Sequence, residues 1–163
     1  MAKKKAVVTN AMRILKNAKV DFEEIEYEVN EVGEAFGEKI AELTGIPPEI
    51  SFKTLVVKGD KTGITVACVP VNCELDLKKL AKVSENKRVE MIHVKDLVEL
   101  TGYARGSVSP VGMKKQYKTF VDISAADLEK MAISGGKCGV TLLLSPDDLE
   151  KVTKCEFKDI RES

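Results

Sequence analysis

The chain has 163 residues, 44% hydrophobic and 32% charged, with 26 basic residues balanced by 26 acidic ones. That length fits one compact domain, residues 1–163, able to bury a core without metal or disulfide staples, and the zero formal net charge excludes coating of nucleic acid through a broad basic field. No apolar run approaches the ~20 residues of a membrane-spanning helix, and the stretch after Lys3-Lys4-Lys5 is broken by Thr9, Asn10 and Arg13, so a cytoplasmic protein without signal peptide or membrane anchor is expected.

In chain order, Thr9 or Asn10 caps a helix with Met12, Leu15 and Ala18 at helical spacing. Residues 22–29 alternate as a strand with Ile25, Tyr27 and Val29 on one face, and Phe36, Ile40 and Leu43 mark a helix stopped by Gly45 and Pro47-Pro48. Two β-branched runs, 52–58 and 64–71, flank Gly59-Asp60-Lys61-Thr62-Gly63 and read as a hairpin at the sheet centre. A helix over 75–83 with Leu77, Leu80 and Ala81 inward, a strand over 88–92, a helix over 94–100 ended by Gly102 and a strand over 117–123 follow. Ser124-Ala125-Ala126-Asp127 and Ser145-Pro146-Asp147-Asp148 each have the S-x-x-D form of a helix start, and an apolar strand over 140–144 lies between them. The whole reads as one α+β domain around a mixed sheet.

The chemistry-bearing residues are few. The four cysteines (Cys68, Cys73, Cys138, Cys155) contain no C-x-x-C pair, and the single histidine, His93, opens a helix away from them, so free and mostly buried thiols and no metal site are expected. No nucleophile and base pair and no catalytic triad can be read. In Tyr103-Ala104-Arg105-Gly106-Ser107-Val108-Ser109-Pro110-Val111-Gly112, glycine lets backbone N–H groups approach an anion or carbonyl, and proline removes an amide. Such a loop is either a ligand-gripping backbone or an ordinary connector. Lys53, set in an otherwise apolar strand, either faces solvent or projects into a polar pocket. Lys3, Lys4, Lys5, Lys114, Lys115 and Lys118 are candidate phosphate contacts.

Phe52-Lys53-Thr54-Leu55, the 106–112 loop and Ser134-Gly135-Gly136-Lys137, taken in order with Ala11-Met12-Arg13-Ile14-Leu15, Tyr27, Phe36-Gly37, Pro70-Val71 and Thr101-Gly102-Tyr103, resemble the YbaK/EbsC family, the prolyl-tRNA editing-domain superfamily, nearest its Cys-tRNA(Pro)/Cys-tRNA(Cys) deacylase branch. The resemblance runs nearly end to end. It implies a mainly antiparallel mixed sheet forming a distorted barrel surrounded by helices, and an activity that removes a misattached amino acid from tRNA without cofactor. Lys53 and Gly106 are then the expected catalytic positions, and Tyr27, Phe36, Thr54, Ser107, Val108, Ser109, Pro110, Ser134, Gly135 and Gly136 the expected substrate contacts. Tyr27 and Phe36 read equally as plain core. The expected partners are the acceptor end of aminoacyl-tRNA and prolyl-tRNA synthetase, with neither DNA nor membrane, and no feature sets an oligomeric state. The family is thought to enlist the thiol of the misattached cysteine itself. Two departures stand out, Cys138 where the deacylase branch usually carries arginine and Thr141 where it has an aspartate, and they keep open a deacylase for another small amino acid such as alanine on tRNA(Pro) and a non-catalytic aminoacyl-tRNA-binding module.

Overall fold

The computed structural model describes residues 8–28 and 36–163, of which 36–39 by backbone alone. Helix α1 (Asn10–Asn17) starts where Thr9 turns out of the helix and its hydroxyl accepts the Met12 N–H at 3.2 Å, and it buries Ala11, Met12 and Leu15. Strand β1 (Glu23–Glu26) is shorter than its alternating pattern; the ladder gains one more bond, from the Tyr27 N–H to the Gly139 carbonyl at 2.9 Å, and Val29 lies outside the described residues. Helix α2 (Phe36–Thr44) ends at Gly45, and a 3-10 turn over Pro48–Ile50 feeds the next strand.

Strands β2 (Phe52–Gly59) and β3 (Gly63–Pro70) form the expected antiparallel hairpin, with Phe52 opposite Pro70 and Gly59 opposite Gly63. β3 is buried on both faces, with Cys68 packed in one core cluster and Ala67 and Val69 in another, which is why its sequence is a continuous apolar run rather than an alternation. Helix α3 (Leu77–Val83) begins two residues later than its periodicity suggests, because the Asp76 carboxylate accepts the N–H groups of Lys78 and Lys79 at 2.9 and 3.1 Å. Its Leu80 and Ala81 are buried as expected, whereas Leu77 is exposed at the first turn. β4 (Val89–Met91) pairs with the far end of β2, and the helix expected over 94–100 divides into a 3-10 turn and the short α4 (Leu97–Thr101).

β5 (Lys118–Asp122) lies parallel to β3. The helix start expected at Ser124 does not form: Asp122, not Ser124, is the cap, accepting the Ser124 N–H at 3.1 Å to close a single 3-10 turn. Two strands escaped the sequence reading, β6 (Met131–Ser134) and β8 (Glu156–Lys158); the first pairs antiparallel with β7 (Val140–Leu144), the second parallel with β5. Between β7 and β8, α5 (Pro146–Thr153) has the Ser145 cap and first-turn proline that the sequence calls for.

The described strands fall into a five-stranded mixed sheet in the order β4-β2-β3-β5-β8 and a three-stranded antiparallel sheet β1-β7-β6, meeting at a parallel bridge between Ser51 and Ala132. The larger core cluster joins α1, α5 and both sheets through Met12, Leu15, Phe52, Val121, Ile133, Leu142 and Leu149. This is the mixed α+β architecture expected. At the tip of the hairpin, Asn86 accepts the N–H groups of Lys61 and Thr62 at 2.8 and 2.9 Å and donates to the hydroxyls of Thr62 and Ser84, both at 2.8 Å. Asn86→Ala removes these part-buried hydrogen bonds of a buried side chain and lowers stability by about 1–2 kcal/mol, read as a fall in the urea midpoint at unchanged m-value; a loss below about 0.5 kcal/mol would mean that the tip is held otherwise.

Candidate active site

At the opening of β2, where the two sheets meet, lies a small cavity of about 110 Å³. Its wall takes Ser51, Phe52, Lys53 and Thr54 from the entry to β2, Val71 after β3, Gly106 and Val108 from the loop before β5, Ile133 and Ser134 from β6, Thr141 from β7, and Tyr27 and Ile40. Segments far apart in sequence, carrying Tyr27, Lys53, Thr54, Gly106, Val108 and Ser134, thus converge on one place. Among the described lining residues Lys53 is the one cation, and none is a carboxylate. Its side chain is 26% exposed, with Nζ 3.6 Å from the Glu74 carboxylate, which is itself mostly in solvent.

The loop before β5 keeps its shape through its own hydrogen bonds. Gly106 has φ of 85°, a conformation costly to a residue with a Cβ. The Ser107 N–H and hydroxyl both donate to the Ala104 carbonyl, the Ser109 hydroxyl accepts the Val111 N–H at 3.2 Å, and the buried Tyr103 hydroxyl donates to the Val111 carbonyl at 2.6 Å. Ser107, Ser109 and Pro110, expected as substrate contacts, therefore do not line the cavity: all three are buried within the loop, and the two hydroxyls serve its fold. The Ser134 hydroxyl ties this loop to the one after β6, donating to the Ser107 carbonyl at 2.9 Å and accepting the Gly136 N–H at 3.1 Å. Gly135 and Gly136 are likewise not among the residues that line the cavity. Gly136 has φ of 89°, and a Cβ there would come within 2.8 Å of the Tyr103 ring. The side chain of Phe36 lies outside the described residues.

The electrostatics fit a site that stabilises negative charge rather than one that generates a protein nucleophile. Burial pushes the Tyr27 phenol up, with hydrogen bonds to the Gly139 backbone and the Thr141 hydroxyl offsetting part of the shift, so Tyr27 is neutral at physiological pH. Burial pushes the Cys68 thiol, beside the Thr54 hydroxyl, up to about 12. All four cysteines are free, with Cys68 and Cys155 buried and Cys73 and Cys138 half-buried. Among the described residues, no group of three His, Cys, Asp or Glu side chains gathers where a metal ion could sit, and no helix is long and apolar enough to cross a membrane. The sequence reading missed Ile133 as a wall residue because it missed β6. It singled out Thr141 only as a departure, whereas Thr141 is a buried part of the wall beside Tyr27.

The chain is similar to known proteins in sequence and in fold. Residues 31–152 match the family model described as the aminoacyl-tRNA editing domain, and the chain belongs to that family. It is 47% identical, over 98% of both chains, to the Enterococcus faecalis (strain ATCC 700802 / V583) protein named "Putative Cys-tRNA(Pro)/Cys-tRNA(Cys) deacylase EbsC". A more distant match, 26% identical over 102 residues, falls within a proline--tRNA ligase of Kosmotoga olearia (strain ATCC BAA-1733 / DSM 21960 / TBF 19.5.1) and covers 63% of this chain and 17% of the ligase. The fold superposes with a TM-score of 0.82 on a solved structure described as a "putative trans-editing enzyme for prolyl tRNA synthetase", at 21% identity, covering 97% of this chain and all of that one.

Proposed function

We propose that the chain acts as a single-domain, cytoplasmic, trans-editing deacylase that hydrolyses the ester of a mischarged aminoacyl-tRNA, with cysteine on tRNA(Pro) as its substrate and cysteine on tRNA(Cys) as a second one. The observation that carries this reading is the convergence of Lys53 and Gly106 on one cavity whose described lining residues include no thiol, imidazole or carboxylate. In this reading the aminoacyl group enters the cavity, the Lys53 ammonium lies by the ester carbonyl, and the backbone at Gly106 supports the same oxygen as charge builds on it. Attack starts from the substrate thiolate, either on its own carbonyl or as a base toward water. The first route closes a strained four-membered thiolactone as the ester C–O bond breaks and the ribose oxygen leaves, taking a proton from water, and a second water then opens the thiolactone to free cysteine; tight orientation offsets part of the ring strain.

Similarity to part of a proline--tRNA ligase supports tRNA(Pro) as the carrier and prolyl-tRNA synthetase as the partner that makes the error. Thr141 supports a second choice of amino acid, alanine, because the wall offers a hydroxyl there and no lining carboxylate among the described residues. The test is loss of label from [³⁵S]Cys-tRNA(Pro) with catalytic enzyme. Cysteine should be released while Pro-tRNA(Pro) stays charged. Release no faster than spontaneous hydrolysis would overturn the reading, and release of alanine alone would move it to the second amino acid.

A further inference from the structure

Four cations are held in ion pairs: Lys79 with Asp159, Lys118 with Glu156, Arg161 with Asp122, and Lys53 itself with Glu74. Lys118, one of the phosphate contacts expected from sequence, is half-exposed beside Glu156. Arg105 and Lys137 differ from these. Both are exposed, and neither has a side-chain hydrogen bond or ion pair among the described residues. Each sits one residue from a glycine in the left-handed region, Gly106 and Gly136. The two loops are fastened to each other by the bond from the Ser134 hydroxyl to the Ser107 carbonyl and by the packing of Gly136 on the Tyr103 ring. The two cations therefore sit on two loops that touch at the cavity, Arg105 next to Gly106 of the lining and Lys137 three residues past Ser134 of the lining.

We infer that Arg105 and Lys137 form a two-cation clamp for the phosphodiester on the 5′ side of the terminal ribose of an RNA 3′ end; the inference rests on the deacylase reading. An aminoacyl ester and that phosphate are carried by the same nucleotide, so an amino acid seated in the cavity brings the phosphate to the cavity edge. A chain of zero net charge gains affinity for a polyanion from such local contacts rather than from its overall field. Arginine supplies a planar fork that grips two phosphate oxygens, and lysine a mobile point charge.

The experiment measures binding of a 5′-fluorescein-labelled CCA trinucleotide by anisotropy across a potassium chloride titration, so it does not depend on hydrolysis. The Arg105→Ala/Lys137→Ala variant should bind about tenfold more weakly at low salt, and its slope of log K against log salt should be shallower by about 0.7, the value for one neutralised phosphate on a single strand. Arg105→Lys should keep most of that slope. Lys61→Ala/Lys87→Ala, an equal loss of charge at the hairpin tip about 20 Å along β2 from Lys53, should change neither quantity. Wild-type affinity and slope in the first variant, an equal loss in the hairpin-tip variant, or no trinucleotide binding by the wild type overturns the clamp. Hydrolysis of Cys-tRNA(Pro), measured separately, keeps the two readings apart: clamp-dependent binding without hydrolysis sinks the deacylase alone, and hydrolysis without clamp-dependent binding sinks the clamp alone.

Discussion

Lys53→Ala lowers single-turnover hydrolysis of Cys-tRNA(Pro) by about 10²- to 10³-fold, the usual loss when one contact to a developing oxyanion is removed. Stability should hardly move. The ammonium is partly in solvent, and its partner Glu74 is 77% exposed at 3.6 Å, so the pair is of the exposed kind that contributes about 0–1 kcal/mol. A change of that size shifts the melting temperature of a chain this long by no more than about 4 °C. Lys53→Met, which keeps the hydrocarbon stem, should be as slow as Lys53→Ala, because the charge and not the packing is what the site needs. A folded Lys53→Ala protein that turns over at the wild-type rate would take Lys53 out of the chemistry.

The rate with Cys-tRNA(Pro) rises about tenfold per pH unit below the substrate thiol's reference pKa of ~8.5 and levels off above it. At neutral pH only a few per cent of such a thiol is thiolate, and both attack on the carbonyl and activation of water begin from that fraction. The buried protein groups at the site do not supply the slope. Cys68 is held protonated with its pKa pushed up to about 12, and the Tyr27 phenol is likewise pushed up by burial, so each releases its proton only above this window. Replacing the substrate sulfur by oxygen, as in Ser-tRNA, should leave binding nearly intact and remove both the slope and most of the rate. A slope shared by the cysteine and serine substrates would place the titrating group on the protein.

Most of the fold was legible wherever a local signal was strong. The Thr9 and Ser145 caps start α1 and α5, and the glycine-bounded turn between two β-branched runs marks the β2–β3 hairpin. The failures share a cause: tertiary pairing decided what local pattern could not. Met131–Ser134 is four residues long and becomes a strand because β7 lies alongside it, and Glu156–Lys158 does so against β5. At 122–127 two capping residues compete, and Asp122 prevails because its buried carboxylate also accepts the Ile160 N–H and faces Arg161.

The site was legible in its charged and glycine positions and less so in its hydroxyls. Lys53 and Gly106, singled out as positions for chemistry, both line one cavity. Ser107 and Ser109 could not be separated from wall residues by sequence, because a loop serine that bonds its own backbone and one that faces a ligand have the same local pattern. Ser134 does both, lining the cavity and joining two loops. That junction, invisible along the chain, brings the loop carrying Arg105 against the loop carrying Lys137.

The measurement closest to the central claim is the single-turnover rate of the wild-type protein, at saturating enzyme and one pH, on tRNA carrying cysteine, serine or alanine. Hydrolysis that starts from the substrate's own thiolate should give a fast cysteine reaction, with serine and alanine both far slower although they fit the same cavity. Equal rates for all three would contradict substrate assistance and leave a water held by the cavity as the attacking group. A rate with cysteine no greater than that of the uncatalysed ester would contradict deacylation itself.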